Sequence, residues 1–506
     1  MTATRSVAKN TLLLSLGLLG GRALGLFVAK KMTPILGPDG LGVQGFATDI
    51  AIIMLTVMNF GLGVLLTREV TRRRGLTWPL LWSTLRVRWL LGFALFLVLW
   101  MYLAATGKDS ITTQAVLVTA LGLFFETTAM ACDSVLQAHE KVQYQTVGQL
   151  VSAVVYFVLA WIWLDAGWGL MGVIWANAIS RVVRLAVMAP LMFWKTGPWR
   201  RARPDETPIG MGSMVRLGYS LCLATTLGIM SFKVDTIMLT EIVGKTATGI
   251  YVLGHRVMDY LLILPNLFAT AMFSALMRYA EQSAGDARRF GERALRFMMV
   301  IVLPIVWLVT LAARPMIEWF ARGNQDADPA QFAASIVVLQ IVVWGVPFQA
   351  ANHVLNRSLI AAGRERVFVM IGLVAMLTNV GLNLALIPRW SYLGAAAATV
   401  YCLAQSLVLH VWNLQRTDHR IALSRALVRG PLALVASWGA TIGLLRLLAP
   451  DWWSGWFALP VALGWTPFLV GVAVWGTLYV AAVFGLRVLG REDLRLLPQL
   501  LGRARP

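Results

Sequence analysis

Residues 35–69 read ILGPDGLGVQGFATDIAIIMLTVMNFGLGVLLTRE, and the fold turns on this stretch. Leu36-Gly37-Pro38 ends one long apolar run, and Gly40 and Gly42 let the chain turn back sharply. A second apolar run closes on Gly61-Leu62-Gly63 and Thr67-Arg68-Glu69-Val70, with Arg72, Arg73 and Arg74 beyond. A turn without basic residues at one end and clustered arginines at the other describe a membrane hairpin with its basic end in the cytoplasm.

The rest of the chain agrees. Of its 506 residues 58% are hydrophobic and 13% charged, and the mean hydropathy is +0.70. Soluble domains carry roughly a quarter charged residues. Apolar runs of about 20 residues, each long enough to cross a bilayer core, recur throughout. They predict an all-α polytopic membrane protein with about fourteen transmembrane helices: 11–33, 42–66, 79–104, 112–137, 144–164, 169–194, 213–240, 248–276, 296–320, 333–361, 367–388, 392–414, 429–449 and 465–486.

The net charge of +20 is distributed by topology. With the N-terminus inside, the inner segments hold 27 Lys and Arg and the outer segments 8. That bias places both termini in the cytoplasm and speaks against nucleic acid as the partner. Anionic membrane lipid is the partner that a basic inner face suits. Cys132, Cys222 and Cys402 fall inside spans, without metal spacing, and read as small packing residues. The first span has no small-x-small cleavage site and reads as uncleaved.

A basic, Pro-containing stretch, KTGPWRRARPDETPIG from Lys195 to Gly210, separates six spans from the next six. This predicts an N-lobe over 1–200, a C-lobe over 201–415, and two additional helices with a basic cytoplasmic tail over 416–506. The tail interleaves leucines with arginines, as a segment on the inner surface would. Gly37 and Gly42 recur 207 residues later as Gly244 and Gly249, and at that offset Asp49 falls on Arg256. Ser134, Ala138 and Gly148 recur 224 residues later as Ser358, Ala362 and Gly372. Two halves of six helices in one orientation predict an axis along the membrane normal and a binding site at their interface. A duplicated membrane hairpin points to transport. No outer loop is large enough to hold a catalytic core, and nucleotide-phosphate, HExxH and CxxC motifs are absent from the sequence. The expectation is a non-enzyme without cofactor or metal.

Charged residues inside spans select the candidates, because they face a cavity or a partner. Arg22 sits mid-span; Lys30 and Lys31 lie near the outer end, where snorkelling is the competing reading of both. Lys233 and Asp235 share the seventh span, and His255, Arg256 and Asp259 the eighth. Arg22, Lys233 and Arg256 would make a cationic pocket suited to a pyrophosphate. An Arg–Asp pair locking the two helices is the competing reading. Glu126 and Asp133 share one face of the fourth span; His353 and Arg357, with Asn352 and Asn356, lie in the tenth. The 224-residue offset sets Asp133 against Arg357. These groups either bridge the halves or bind a proton or cation. Asn379 and Asn383 read as interhelical hydrogen-bonding residues.

At Leu36-Gly37-Pro38, Gly42, Gly61-Leu62-Gly63 and Thr67-Arg68-Glu69-Val70, the chain resembles the Wzx-type oligosaccharide flippases. These belong to the multidrug/oligosaccharidyl-lipid/polysaccharide (MOP) exporter superfamily. Lys233-Val-Asp235-Thr-Ile-Met-Leu239, then Gly244 and Gly249-Ile250-Tyr251, resemble that family's seventh helix and following turn. The resemblance covers about residues 10 to 415. It implies two six-helix lobes in a V-shaped, MATE-like arrangement plus two C-terminal helices. The implied activity is flipping of an undecaprenyl-pyrophosphate-linked oligosaccharide, a polysaccharide repeat unit, from the inner to the outer leaflet of a bacterial inner membrane. The lining would comprise Arg22, Lys30, Lys233, Arg256, His353 and Arg357. Proton or sodium coupling would use Asp49, Glu126, Asp133, Asp235 or Asp259, and other polysaccharide assembly proteins would be partners. Lipid II flippases resemble the chain at Arg22, but carry an Arg-Asp pair where this chain has Val28-Ala29. A cation-coupled drug antiporter and a lipid II flippase are the alternatives.

Overall fold

The computed structural model of the chain describes residues 2–197, 211–323, 329–417, 428–448 and 465–489. Most of the linker 195–210, the outer loop 450–464 with Trp452, Trp453 and Trp456, and the C-terminal tail lie outside the described residues. What is described is helical: α1 (Thr2–Asn59), α2 (Leu62–Arg72), α3 (Thr77–Thr106), α4 (Ser110–Ala138), α5 (Gln143–Asp165), α6 (Gly169–Thr196) and α7 (Met211–Ile242). There follow α8 (Lys245–Leu261), α9 (Ile263–Gln282), α10 (Ala284–Leu311), α11 (Ala313–Ala321), α12 (Ala333–Val342), α13 (Gly345–Ala361), α14 (Glu365–Gln415), α15 (Arg429–Leu448) and α16 (Trp465–Gly485). The fourteen predicted spans overlie these helices, with 42–66, 248–276, 296–320 and 333–361 each crossing a break between two of them. Nine segments among the described residues are long and apolar enough to cross a membrane, two of them, 20–72 and 366–415, long enough to do so twice.

The turn expected after Leu36 is tighter than a loop. Helix α1 breaks at the single residue Gly37 (φ 64°, ψ −177°) and resumes through Pro38. Glycine reaches that conformation without Cβ strain, and a proline in the first turn of the resumed helix gives up no needed donor. Helix α14 breaks in the same manner at Ser391 (φ 50°, ψ −130°), three residues after Pro388. At the other end of the hairpin Phe60 and Gly61 take positive φ, and the amphipathic α2 leaves in a new direction.

The chain divides into two compact units. The first comprises residues 1–252, 320–331 and 383–392; the second comprises 253–319, 332–382 and 393–506.

In the first unit α4 packs against α1, α2, α3 and α6. Leu62, Leu66 and Val70 of α2 bury against Leu80, Val135, Leu136 and Met188. Phe46, Met54 and Met58 of α1 bury against Leu99, Val116 and Leu123. The opposite face of α3 exposes Trp89, Leu90, Phe93, Leu97, Val98 and Trp100, an apolar surface of the kind that faces lipid.

In the second unit α10 packs against α9, α13 and α15, and α15 pairs with α16. A run of edge-on aromatic contacts joins Trp344 to Trp307 (6.1 Å between centroids), Trp307 to Trp438 (5.4 Å) and Trp438 to Trp475 (6.0 Å). Such contacts add to the area each ring buries. Trp475 donates its indole N–H to Ser437 Oγ (3.2 Å), and Tyr479 donates to the Val300 carbonyl (3.1 Å). The last two helices are thereby tied to α10.

Candidate functional site

The first unit brings the opening hairpin against α7 and the start of α8. A Cβ built on Gly42 would lie 1.9 Å from the Lys245 carbonyl oxygen, and one on Gly249 would lie 1.8 Å from that of Pro38. Residues 38 and 245, like 42 and 249, are 207 apart. Each helix therefore presses its glycine on the equivalent carbonyl of the other, an approach that bare glycine backbone permits. Asp39 accepts a hydrogen bond from Thr246 (2.5 Å), again across the same offset. Gly244, the counterpart of Gly37, also has positive φ (117°). Two of the four glycines read as a repeat, Gly42 and Gly249, thus lie in one reciprocal contact.

Beside this crossing, Glu241 accepts from Tyr102 (2.5 Å) and pairs with Lys108 (2.8 Å). Asp109, between α3 and α4, accepts from the Thr112 hydroxyl (2.6 Å). That bond first, and the positive charge of Lys245 4.0 Å away second, hold its carboxyl below the usual range. Deeper in the bundle Lys233 pairs with Asp49 (3.3 Å). Lys233 was expected among pocket cations and Asp49 among coupling acids; the structure joins them to each other. Lys31 pairs with Asp165 (2.5 Å) with its ammonium 3.9 Å from the centre of the Trp161 ring, and Lys30 reaches the Arg322 carbonyl (3.5 Å). Both lysines are thus held by protein groups near the helix end. Arg22 is exposed on α1, next to Gly21, whose backbone packs on Ala153 of α5.

Three arginines surround α4. Arg184 of α6 binds Glu126 through one guanidinium nitrogen and Asp133 through the other, the latter at 2.5 Å. Glu126 and Asp133 are seven residues apart, two turns of one helix face, and the fork of one guanidinium spans them. The sequence offset pointed Asp133 toward Arg357; the partner the structure supplies is Arg184. Gln145 of α5 donates to the Asp133 carbonyl (2.5 Å). Arg88 of α3, fully buried, donates to the Thr127 carbonyl (2.7 Å). Arg181 of α6 donates to the Thr119 carbonyl (3.2 Å), its stem lying over the bare backbone of Gly122. These arginines stand inside predicted spans 79–104 and 169–194, so an in-span charge was the signal for them. Which acid answered them was not legible, because the pairing runs between helices.

Asp235 on α7 is fully buried. It accepts from the Tyr251 hydroxyl (3.1 Å) and from the Asn383 amide (2.8 Å). Asn383 therefore makes the interhelical hydrogen bond expected of it. Arg256, Asp259, His353 and Arg357 belong to the second unit. There His255 and Asp259 pair at 3.5 Å, four residues apart on α8. The Arg357 guanidinium lies 5.0 Å from the centre of the Phe273 ring, within cation–π range, and Asn352 donates to the Leu403 carbonyl (3.0 Å). Cys132, Cys222 and Cys402 are buried, and none forms a disulfide. Among the described residues no group of three or more His, Cys, Asp or Glu could hold a metal ion.

A helical bundle with lipid-suited outer faces, kinked hairpins and charges paired in its interior defines a polytopic membrane protein of transporter architecture. Its fold is that of the MOP superfamily. Lipid II flippase MurJ, in an inward closed conformation, matches with a TM-score of 0.71 at 14% identity, over 94% of this chain and 99% of that one. An inward-facing multidrug-resistance MATE transporter matches with a TM-score of 0.64 at 16% identity, over 78% and 94%. A MOP transporter from Pyrococcus furiosus matches with a TM-score of 0.60 at 15% identity, over 81% and 95%. Residues 7–280 match the family described as polysaccharide biosynthesis protein, and residues 221–385 match MatE. The chain belongs to the polysaccharide biosynthesis protein family. A probable flippase of Haloferax volcanii, AglR, is 25% identical over 190 residues, 37% of this chain. The match spans 39% of that relative's length.

Proposed function

We propose that this protein flips an undecaprenyl-pyrophosphate-linked oligosaccharide, a polysaccharide repeat unit, from the cytoplasmic to the outer leaflet of a bacterial inner membrane. The observation that carries the reading is the family match over residues 7–280, which spans the opening hairpin, the α4–α6 charge cluster and the α1–α8 crossing. A similarity to a probable flippase supports it. Physical need agrees. A sugar-pyrophosphate carried bare through hydrocarbon would expose charges at a cost of many kcal/mol. A polar path lined by cations, open to the side for the polyprenyl tail, lowers that barrier. Arg22 and Arg256 are the lining groups we assign to the headgroup.

The test is flipping of a fluorescent undecaprenyl-pyrophosphate oligosaccharide in proteoliposomes, wild type beside Arg22→Ala and Arg256→Ala. The expected result is transport by wild type and its loss in both variants. Wild-type vesicles that move none of several glycans, with a potential or pH gradient imposed, would overturn the reading.

The MatE match over residues 221–385 favours a second reading, a cation-coupled antiporter. Asp235, buried between Tyr251 and Asn383, is the group that would carry the coupling in either case. If Asp235→Asn leaves the pH and sodium dependence of transport unchanged, Asp235 has no coupling role.

A further inference from the structure

The charges around α4 do not balance. At their ordinary ionisation Arg88, Arg181 and Arg184 bring three positive charges to the α3–α4–α6 core, and Glu126 and Asp133 bring two negative ones. Arg184 takes both carboxylates. Arg88 is fully buried on a backbone carbonyl, out of reach of any ligand. Arg181 differs from both. It is half-buried, and its one hydrogen bond among the described residues is the Thr119 carbonyl at 3.2 Å. It makes no ion pair among the described residues, although Glu126 lies close enough for its field to be felt. A guanidinium carries five N–H donors, so one bond leaves most of them unused.

The position looks built. Gly122 offers no side chain, and a Cβ there would meet Arg181 Cδ at 3.3 Å and Nη1 at 3.4 Å. The arginine stem thus lies in a groove on α4 that a larger residue would close. Tyr156 of α5, like Glu126 and Arg184, lies within electrostatic range of it. Ala153, one turn earlier on α5, carries Gly21, the residue before Arg22. Helices α1 and α6 thus both pack on α5, the first at Gly21 and the second beside Arg181.

An uncompensated cation held inside a membrane bundle is costly unless an anion meets it. We propose that Arg181 binds the phosphate groups of the transported headgroup. The inference rests on the lipid-linked substrate proposed above and adds a residue to it. The guanidinium fork suits a phosphate oxygen pair better than an ammonium does. Glu126 is held by Arg184, one turn further along α6, and makes no ion pair with Arg181 among the described residues.

The test is binding to the detergent-solubilised full-length protein, with undecaprenyl pyrophosphate and undecaprenol as paired probes and inorganic pyrophosphate as competitor. The expected result is a wild-type preference for the pyrophosphate lipid that falls by roughly tenfold or more in Arg181→Gln, with undecaprenol binding retained. Arg181→Lys, which keeps the charge and loses the fork, should fall between them. It decides the matter if Arg181→Gln does not fold. Preference retained in full by Arg181→Gln, or by Arg181→Lys where that variant alone folds, overturns the role of Arg181 and leaves the flippase standing. No preference in wild type overturns both. Competition by inorganic pyrophosphate in wild type that weakens in the variant assigns the phosphate itself; competition by the lipid-linked form alone assigns the whole headgroup. Equal competition in both proteins by either compound overturns the inference.

Discussion

Arg184 is surrounded by what it neutralises. Glu126 and Asp133 occupy its two terminal guanidinium nitrogens inside the bundle. Removing one partner from such a pair leaves buried charge without an answer, at about 3–5 kcal/mol. Arg184→Gln should accordingly lower the thermal unfolding temperature in detergent markedly. Arg184→Gln combined with Glu126→Gln and Asp133→Asn should recover much of the loss. A melting temperature that is no better in the triple variant than in the single one would show that the cluster acts by packing. At this scale the sequence was informative about which residues matter and silent about whom they meet. Asp133 and Glu126 announce themselves as acids within a span. Their partner lies fifty residues on, in a helix whose own arginines look no different from snorkelling ones.

At the scale of elements, the opening hairpin was legible because its punctuation is chemical. Gly37, Pro38, Gly42 and Gly61 are residues whose backbone preferences are strong enough to override their surroundings. What could not be read was that the turn is one residue wide, since a break within a helix and a short loop leave similar apolar runs. The close crossing makes a sharp prediction. Gly42→Ala or Gly249→Ala places a methyl where a backbone carbonyl lies, and the helices must separate or the variant loses about 1–3 kcal/mol of stability. Unchanged melting in both alanine variants would show that the helices separate without loss. Under the flippase reading this crossing must part to release cargo outward. Cysteines at Asp39 and Thr246, bridged by a short reducible bis-thiol reagent, should block transport, and a reductant should restore it. Transport undiminished by the bridge would show that the crossing stays shut throughout the cycle. The neighbouring Asp109 adds a pH signature. Its carboxyl is held below the usual range, so the stability it contributes is complete above the ordinary carboxylate pKa and disappears as the pH falls through the lowered value. The difference in melting temperature between wild type and Asp109→Asn should therefore begin to narrow as the pH falls below about 4 and vanish below the lowered value. A difference that does not narrow at all from about pH 5 down to the most acid pH at which both proteins stay folded would show that the Asp109 charge is not its source.

For the molecule as a whole, the class was written in composition and charge placement, and the helix count followed from the length of apolar runs. The relation between first and second halves was legible only as spacing. A repeat of glycines says that two segments are alike, and gives no hint that they touch. An anionic headgroup moving outward is favoured by an inside-negative potential by ~2.3 kcal/mol per charge per 100 mV. Collapsing the potential across proteoliposomes should therefore slow flipping of a pyrophosphate-linked cargo. Transport indifferent to potential would mean that the charge is compensated in transit by a counter-ion. The Gly42–Gly249 contact has an implication of its own. When residue i of one segment meets residue j of its copy and the reverse contact is also made, the interface is isologous, the kind that joins identical subunits about a two-fold axis. Across residues 38–42 and 245–249 one polypeptide thus holds the local geometry that joins identical subunits.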